Sequence, residues 1–217
     1  MTYESIIGQT INFVQEQLRD AEKGHDRWHI YRVWKMAKRI GEGEGVDMLV
    51  VELWALLHDI ADAKFHGNDE EVWPRRAREF LVWLWVDADV VLHVENIVRY
   101  ISFKGWNYQA AFQSPELCVV QDADRLDAIW AIGIARAFTY GWYKGRELYN
   151  PHVAPKTDMS KEEYMNHEGN TINHFYEKLL LLKERMHTDT GRSIAEQRHV
   201  YMEWFLEEFY GEWEGER

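Results

Sequence analysis

Apolar residues recur at steps of three and four along most of this chain, the spacing that gives a helix one buried face. Ile6, Ile7, Thr10, Phe13, Val14 and Leu18 form the first such stripe, which Gly24 ends. Asp26 is placed to cap a second helix carrying His29, Val33, Met36, Ala37 and Ile40. The glycines of Gly41-Glu42-Gly43-Glu44-Gly45 are expected to break it. Asp47 is a cap for a third helix over about 48–60. That segment is apolar on most faces, which predicts a helix through the centre of the domain. A polar loop over 64–69 leads to a fourth helix at about 70–85, with Trp73, Ala77, Phe80, Leu81 and Leu84 on its face. Asp87 opens a fifth, with Val91, Val94, Ile97, Val98 and Ile101 inward.

Ser114-Pro115-Glu116 starts a sixth helix, with proline at its first position. It carries Asp122, Asp124 and Asp127 and is expected to run to about Tyr140. Residues 141–160 are the least regular stretch and read as a long ordered loop or lid. Two long helices, about 161–188 and 193–212, close the chain. No strand-like alternation and no internal repeat is visible, so the fold is expected to be all-α. One domain spanning 1–217 is expected, with the long C-terminal helices (about 161–213) packed on its core.

Hydrophobic residues make up 46% of the 217, which excludes a disordered chain. The 11 tryptophans fall largely at helical spacing and are expected to fill the core. The net charge of −12 disfavours a long polyphosphate backbone, so no nucleic-acid polymer is expected as a partner. A small anion remains compatible, because a local basic pocket can outweigh the net charge. The single cysteine, Cys118, lies in Leu117-Cys118-Val119-Val120 and reads as a buried thiol. No signal-peptide pattern and no membrane-length apolar run is present, which points to the cytoplasm and to no membrane partner.

Four places set metal-ligand chemistry into these helices. They are the segment from His25 to His29, the doublet His58-Asp59, the acids Asp122, Asp124 and Asp127, and, more weakly, Asn173-His174 with Lys178. His58 and Asp59 close an apolar run, where an acid needs a partner to offset its desolvation. Asp124 and Asp127 share a helical face, so their charges raise each other's pKa unless a cation intervenes. Imidazole with carboxylate suits Mn²⁺, Fe²⁺, Co²⁺, Ni²⁺ or Zn²⁺, and Mg²⁺ where water completes the shell. Two histidines and two aspartates leave positions open, as a catalytic site requires.

The order His, then His-Asp, then Asp resembles the signature of the HD superfamily of metal-dependent phosphohydrolases. The resemblance implies one divalent metal ion, Mn²⁺ first among the candidates, held by His29, His58, Asp59 and Asp124. It selects His29 over His25, and Asp124 over Asp122, from the segments around them. Ser102-Phe103-Lys104-Gly105, Thr139-Tyr140-Gly141 and Thr171 to Lys178 are similar to a bacterial subgroup of small HD hydrolases. Some of that subgroup are nucleotide pyrophosphohydrolases, which implies the same reaction here. Binuclear members carry extra histidines between the doublet and the last aspartate. Only His66 and His93 fall in that interval, so one metal is expected.

Asp62, one turn after Asp59, is the candidate catalytic acid-base group, and the family often carries an acid there. Lys64, Lys104, His174 and Lys178 are the candidate substrate-binding residues, because phosphate oxygens need cations or N–H donors. Arg125 adjoins the last ligand, where it can pair with a carboxylate. Tyr140, Trp142 and Tyr143 either stack on a base or pack within the irregular region. The expected substrate is a small phosphorylated molecule, a nucleoside triphosphate foremost. A phosphatase or phosphodiesterase on another metabolite and a non-catalytic nucleotide or metal sensor are the competing readings.

Overall fold

A computed structural model describes residues 1–18, 27–58, 72–100, 112–157, 159, 163, 167 and 169–217. Among these, every regular element is helical, and the fold is all-α. The described residues divide into two compact units, one up to Ala123 and the other from Asp124 onward.

In the first unit, α1 (Tyr3–Gln17) starts where the Thr2 hydroxyl accepts from the Ser5 amide and buries Ile6, Ile7, Thr10 and Val14. Helix α2 (Arg27–Glu44) buries His29, Ile30, Val33, Ala37 and Ile40. It runs through the glycines expected to break it and ends at Gly45, whose φ of 66° is the left-handed turn that favours glycine. Gly41 is buried for a packing reason: a Cβ there would lie 2.7 Å from the Met48 sulfur. The glycine therefore lets the chain beyond the helix approach closely and does not act as a breaker.

Helix α3 (Met48–Leu57) begins with the Asp47 carboxylate accepting from the amides of Leu49 (2.9 Å) and Val50 (3.4 Å). All eight residues from Val50 to Leu57 are buried, and α3 packs against α1, α2 and α5, as an all-apolar helix must. One acid sits within it. Glu52 accepts from Tyr3 Oη (2.7 Å) and Trp34 Nε1 (2.7 Å) and pairs with Lys38 (3.0 Å), so three donors from two other helices offset its burial. Burial and the Glu52 carboxylate push the Tyr3 hydroxyl above its usual pKa. Helices α4 (Val72–Trp83) and α5 (Ala88–Tyr100) pair with each other, and Glu95 of α5 binds Arg78 (2.8 Å) and Arg99 (3.1 Å).

Helix α6 (Pro115–Asp127) is capped by Ser114, whose hydroxyl accepts from the Leu117 amide. It was expected to continue to about Tyr140, but it stops at Asp127. The chain turns through Ala128 and Ile129, and α7 (Trp130–Tyr143) starts afresh with Trp130 at φ 76°. A left-handed tryptophan gives no sequence signal, which is why the break was not legible. Gly133 completes the junction, since a Cβ there would overlap the Ala128 carbonyl.

The expected long helix over 161–188 is also corrected. Residues 167 and 169–172 are not helical, α8 is the short Asn173–Glu177, and Leu179–Arg185 is a 3₁₀ segment. The last helix, α9 (Asp189–Trp213), is capped by Thr188 and begins four residues ahead of its expected start near Ser193. In this unit α9 packs on α7 and on the 3₁₀ segment, and Phe175 stacks on Phe205 with centroids 5.7 Å apart.

Two core expectations fail. Trp28, Trp83, Trp85, Trp130, Trp142, Trp204 and Trp213 are exposed, and only Trp54 among the described tryptophans is fully buried. Cys118 is half-buried instead of buried, because it lies off the inward stripe of Leu117, Val120 and Ala123 on α6. No helix among the described residues is long and apolar enough to cross a membrane.

Candidate metal centre

His29 owes its position to its neighbours. It shares the apolar stripe of α2 with Val33, Ala37 and Ile40, and burying that stripe carries the imidazole inward to 6% exposure. His58 ends α3 as its C-cap. Its ring stacks on Trp54 one turn earlier, with centroids 4.9 Å apart and planes 25° apart. Its Nδ1 lies 2.8 Å from the Ala55 carbonyl and donates to it, since a carbonyl can only accept. In the neutral ring that bond puts the lone pair on Nε2, and a partner on the second nitrogen is how metal-binding imidazoles are generally oriented.

The Nε2 atoms of His58 and His29 face each other at 3.3 Å. Asp124, on the last turn of α6, adds a carboxylate oxygen, and one donor atom from each of the three lies within 4.8 Å of the others. Two nitrogens bound at about 2.1 Å to one cation stand roughly 3.0 Å apart at a right angle and roughly 3.4 Å apart at a tetrahedral one. The observed spacing falls in that range, so the three residues fit a divalent metal.

Of the residues singled out from sequence, these three are brought together. Asp59, Asp62, Lys64, His66 and Lys104 lie outside the described residues, as do His25 and Asp26. His93 does not join the group: its Nε2 lies 2.9 Å from Ser114 Oγ and 3.5 Å from Glu116, at the start of α6. Asp127 takes a guanidinium as its cation, pairing with Arg136 at 2.5 Å, an arginine that sequence reasoning passed over. Asp122 is fully buried on α6. Arg125 donates to the Arg185 carbonyl at 2.5 Å. Tyr140, Trp142 and Tyr143 stand exposed on α7 and are not packed within a loop.

In the second unit Lys178 follows α8, and burial holds its ammonium below the usual lysine pKa. The Asp124 carboxylate opposes that shift and Arg136 adds to it, so Lys178 and Asp124 share one electrostatic environment. His174 is lowered to about 3, chiefly by burial and then by Lys178 and Arg146, and its imidazole is neutral at ordinary pH. Glu177, beside them, is buried and accepts from His167 Nε2 (3.0 Å) and the Lys156 amide (3.1 Å).

This donor order on an all-α frame is matched among known proteins. Residues 28–129 match the HD domain. The uncharacterized protein YpgQ of Bacillus subtilis (strain 168) is 38% identical over 199 residues, covering 91% of this chain and 89% of that one. The chain belongs to the HD family. Its fold likewise follows that of an HD-superfamily hydrolase from Bacillus thuringiensis, with 41% identity and a TM-score of 0.80 over 99% of this chain and 100% of that one. It also follows B. subtilis YpgQ in complex with ADP, with 34% identity and a TM-score of 0.77 over 98% and 97% of the two chains. The HD-family resemblance read from His29, His58-Asp59 and Asp124 is therefore borne out at the level of the family and its fold.

Proposed function

We propose that this chain is a phosphohydrolase that cleaves nucleoside triphosphates to monophosphate and pyrophosphate, with one divalent metal held by His29, His58, Asp59 and Asp124. The convergence of His29, His58 and Asp124 carries this reading. The ADP bound to YpgQ supports a nucleotide as the substrate class. When bound, the metal supplies Lewis acidity and a lowered pKa for water, and Mn²⁺ is the first ion to test. Asp62 takes the proton of the attacking water. Lys64, Lys104 and Lys178 bind phosphate oxygens as cations, and the neutral His174 donates an N–H without adding charge. The whole of 1–217 acts as one domain in this reading, because α6 is a single helix that begins in the first unit and carries Asp124 in the second. The chain works in the cytoplasm and needs neither a membrane nor a nucleic-acid polymer.

The test is to incubate the Mn²⁺-loaded protein with a panel of nucleoside triphosphates and simple phosphate esters and to separate the products. Monophosphate with pyrophosphate is expected. Diphosphate with phosphate, or turnover of simple esters alone, moves the cleaved bond or the substrate. Nucleotide binding without hydrolysis under Mn²⁺, Mg²⁺, Ni²⁺ and Co²⁺ identifies a sensor and sinks the proposal.

A further inference from the structure

Asp124 stands three residues before the end of α6, in the turn where a helix has spent its own hydrogen-bond donors. No glycine cap follows. The amides of Ala128 and Ile129 return to the carbonyls of Arg125 (3.1 Å) and Leu126 (3.3 Å) and tighten the last turn. Two arginines then complete it from outside the helix. Arg136 of α7 donates to the Asp127 carbonyl (3.4 Å) as well as to the Asp127 carboxylate. Arg198 of α9, 72 residues along the chain, donates through Nη1 to the Leu126 carbonyl. Its guanidinium lies 5.3 Å over the ring of Trp130, the residue whose left-handed φ starts α7.

We propose that Arg198 is a positioning residue for Asp124: by binding the Leu126 carbonyl and stacking on Trp130, it fixes the turn that aims the carboxylate at the metal site. This rests on the reading of Asp124 as a metal ligand. The physical case has three parts. A terminal helical turn frays unless its carbonyls are bound, and the Leu126 carbonyl, two residues from Asp124, is held by Arg198 in addition to the long bond from the Ile129 amide. A cation at a helix C-terminus is favoured by the aligned peptide dipoles, so the contact is stable where it stands. A planar guanidinium can donate to a carbonyl and stack on an indole together, which the ammonium of lysine does less well. Arg136 has its own carboxylate partner in Asp127, so its position follows from that pair. Both arginines reach the α6 backbone, Arg136 at the Asp127 carbonyl and Arg198 at the Leu126 carbonyl, one residue nearer to Asp124.

The experiment measures Mn²⁺ affinity, by the paramagnetic resonance of free Mn²⁺, for the full chain and for Asp124→Ala, Arg198→Ala, Arg198→Lys and the double variant Asp124→Ala/Arg198→Ala. Arg198→Ala is expected to weaken Mn²⁺ binding about 10- to 100-fold, the scale on which groups behind a metal ligand act. Arg198→Lys should fall between it and the parent. The double variant should bind no more weakly than Asp124→Ala, because a carboxylate that is absent cannot be misplaced. A merely structural arginine would lower the melting temperature of the metal-free protein and leave Mn²⁺ affinity intact, or add its loss to that of Asp124→Ala; either result overturns the proposal. Should Arg198→Ala not fold, a loss of at least about threefold in Arg198→Lys supports the proposal and parental affinity overturns it. Parental affinity in Asp124→Ala overturns the ligand reading itself and the positioning role with it. A defect in Asp124→Ala with none at Arg198 overturns the positioning role alone.

Discussion

The two histidines and the aspartate of the candidate centre are held in different ways. His29 and His58 are set by packing: one rides an apolar stripe into the interior, and the other is stacked on a fully buried tryptophan and bonded to the carbonyl of Ala55. Asp124 is set by charge: it lies on a terminal helical turn whose carbonyls are taken by arginines from later in the chain. A packed donor resists displacement because the core cannot open around it cheaply. A tethered donor depends on bonds that single substitutions remove.

The largest effect expected from this contrast is on metal binding itself. His58→Ala should lose stoichiometric metal, as should Asp124→Ala, with affinity falling by more than about 100-fold in each. Elemental analysis after gel filtration checks this, and full occupancy in either variant removes that residue from the ligand set. The next effect separates packing from charge. Trp54→Ala should destabilise the protein by about 3–5 kcal/mol, the usual cost of deleting a buried aromatic ring, and weaken metal binding through His58. Trp54→Phe, which keeps a ring beneath the imidazole, should retain the metal. Chemical denaturation of both variants, followed by circular dichroism, provides the measurement, and a Trp54→Ala variant as stable as the parent would show that the site does not rely on this packing.

The effect that is smallest near neutral pH is a pH dependence in the second unit, which emerges only in acid. The imidazole of His174 has a pKa of about 3 in the folded protein against 6.5 in the unfolded chain. The unfolded state therefore binds a proton between those values that the folded state refuses, and stability falls as pH drops from 6.5 toward 3. Above 6.5 this contribution is fully present. In metal-free protein, His174→Asn should flatten that part of the profile, and urea midpoints taken at several pH values check it. An unchanged slope would mean that His174 accepts its proton without penalty.

Much of the first unit was legible because its helices obey local rules. Asp47 and Ser114 cap where capping residues should, and the stripe that buries His29 is visible as a spacing of three and four. The His58-Asp59 doublet stood out because polar ligands closing an apolar helix need an explanation. The misreadings arose where tertiary contacts decide. Gly41 was read as a breaker, yet it is a point of close approach to Met48. The break after Asp127 depends on a left-handed tryptophan and a glycine fitted against a carbonyl. Arg136 and Arg198 bear on the site from 9 and 72 residues along the chain from their α6 partners, and no local pattern marks such contacts. The short α8 and the 3₁₀ turns after it were read as one helix because leucine runs such as Leu179 to Leu182 satisfy either period.

The distribution of tryptophans bears on how this protein can be watched. Among the described tryptophans, seven indoles face solvent in the folded state, while Trp54 is fully enclosed and stacked on an imidazole of the candidate centre. Emission from those seven comes from partly or largely solvated fluorophores and is expected to shift less on unfolding than emission from Trp54. A probe of the centre by light must isolate Trp54, the one fully enclosed indole among the described tryptophans and the one stacked on His58.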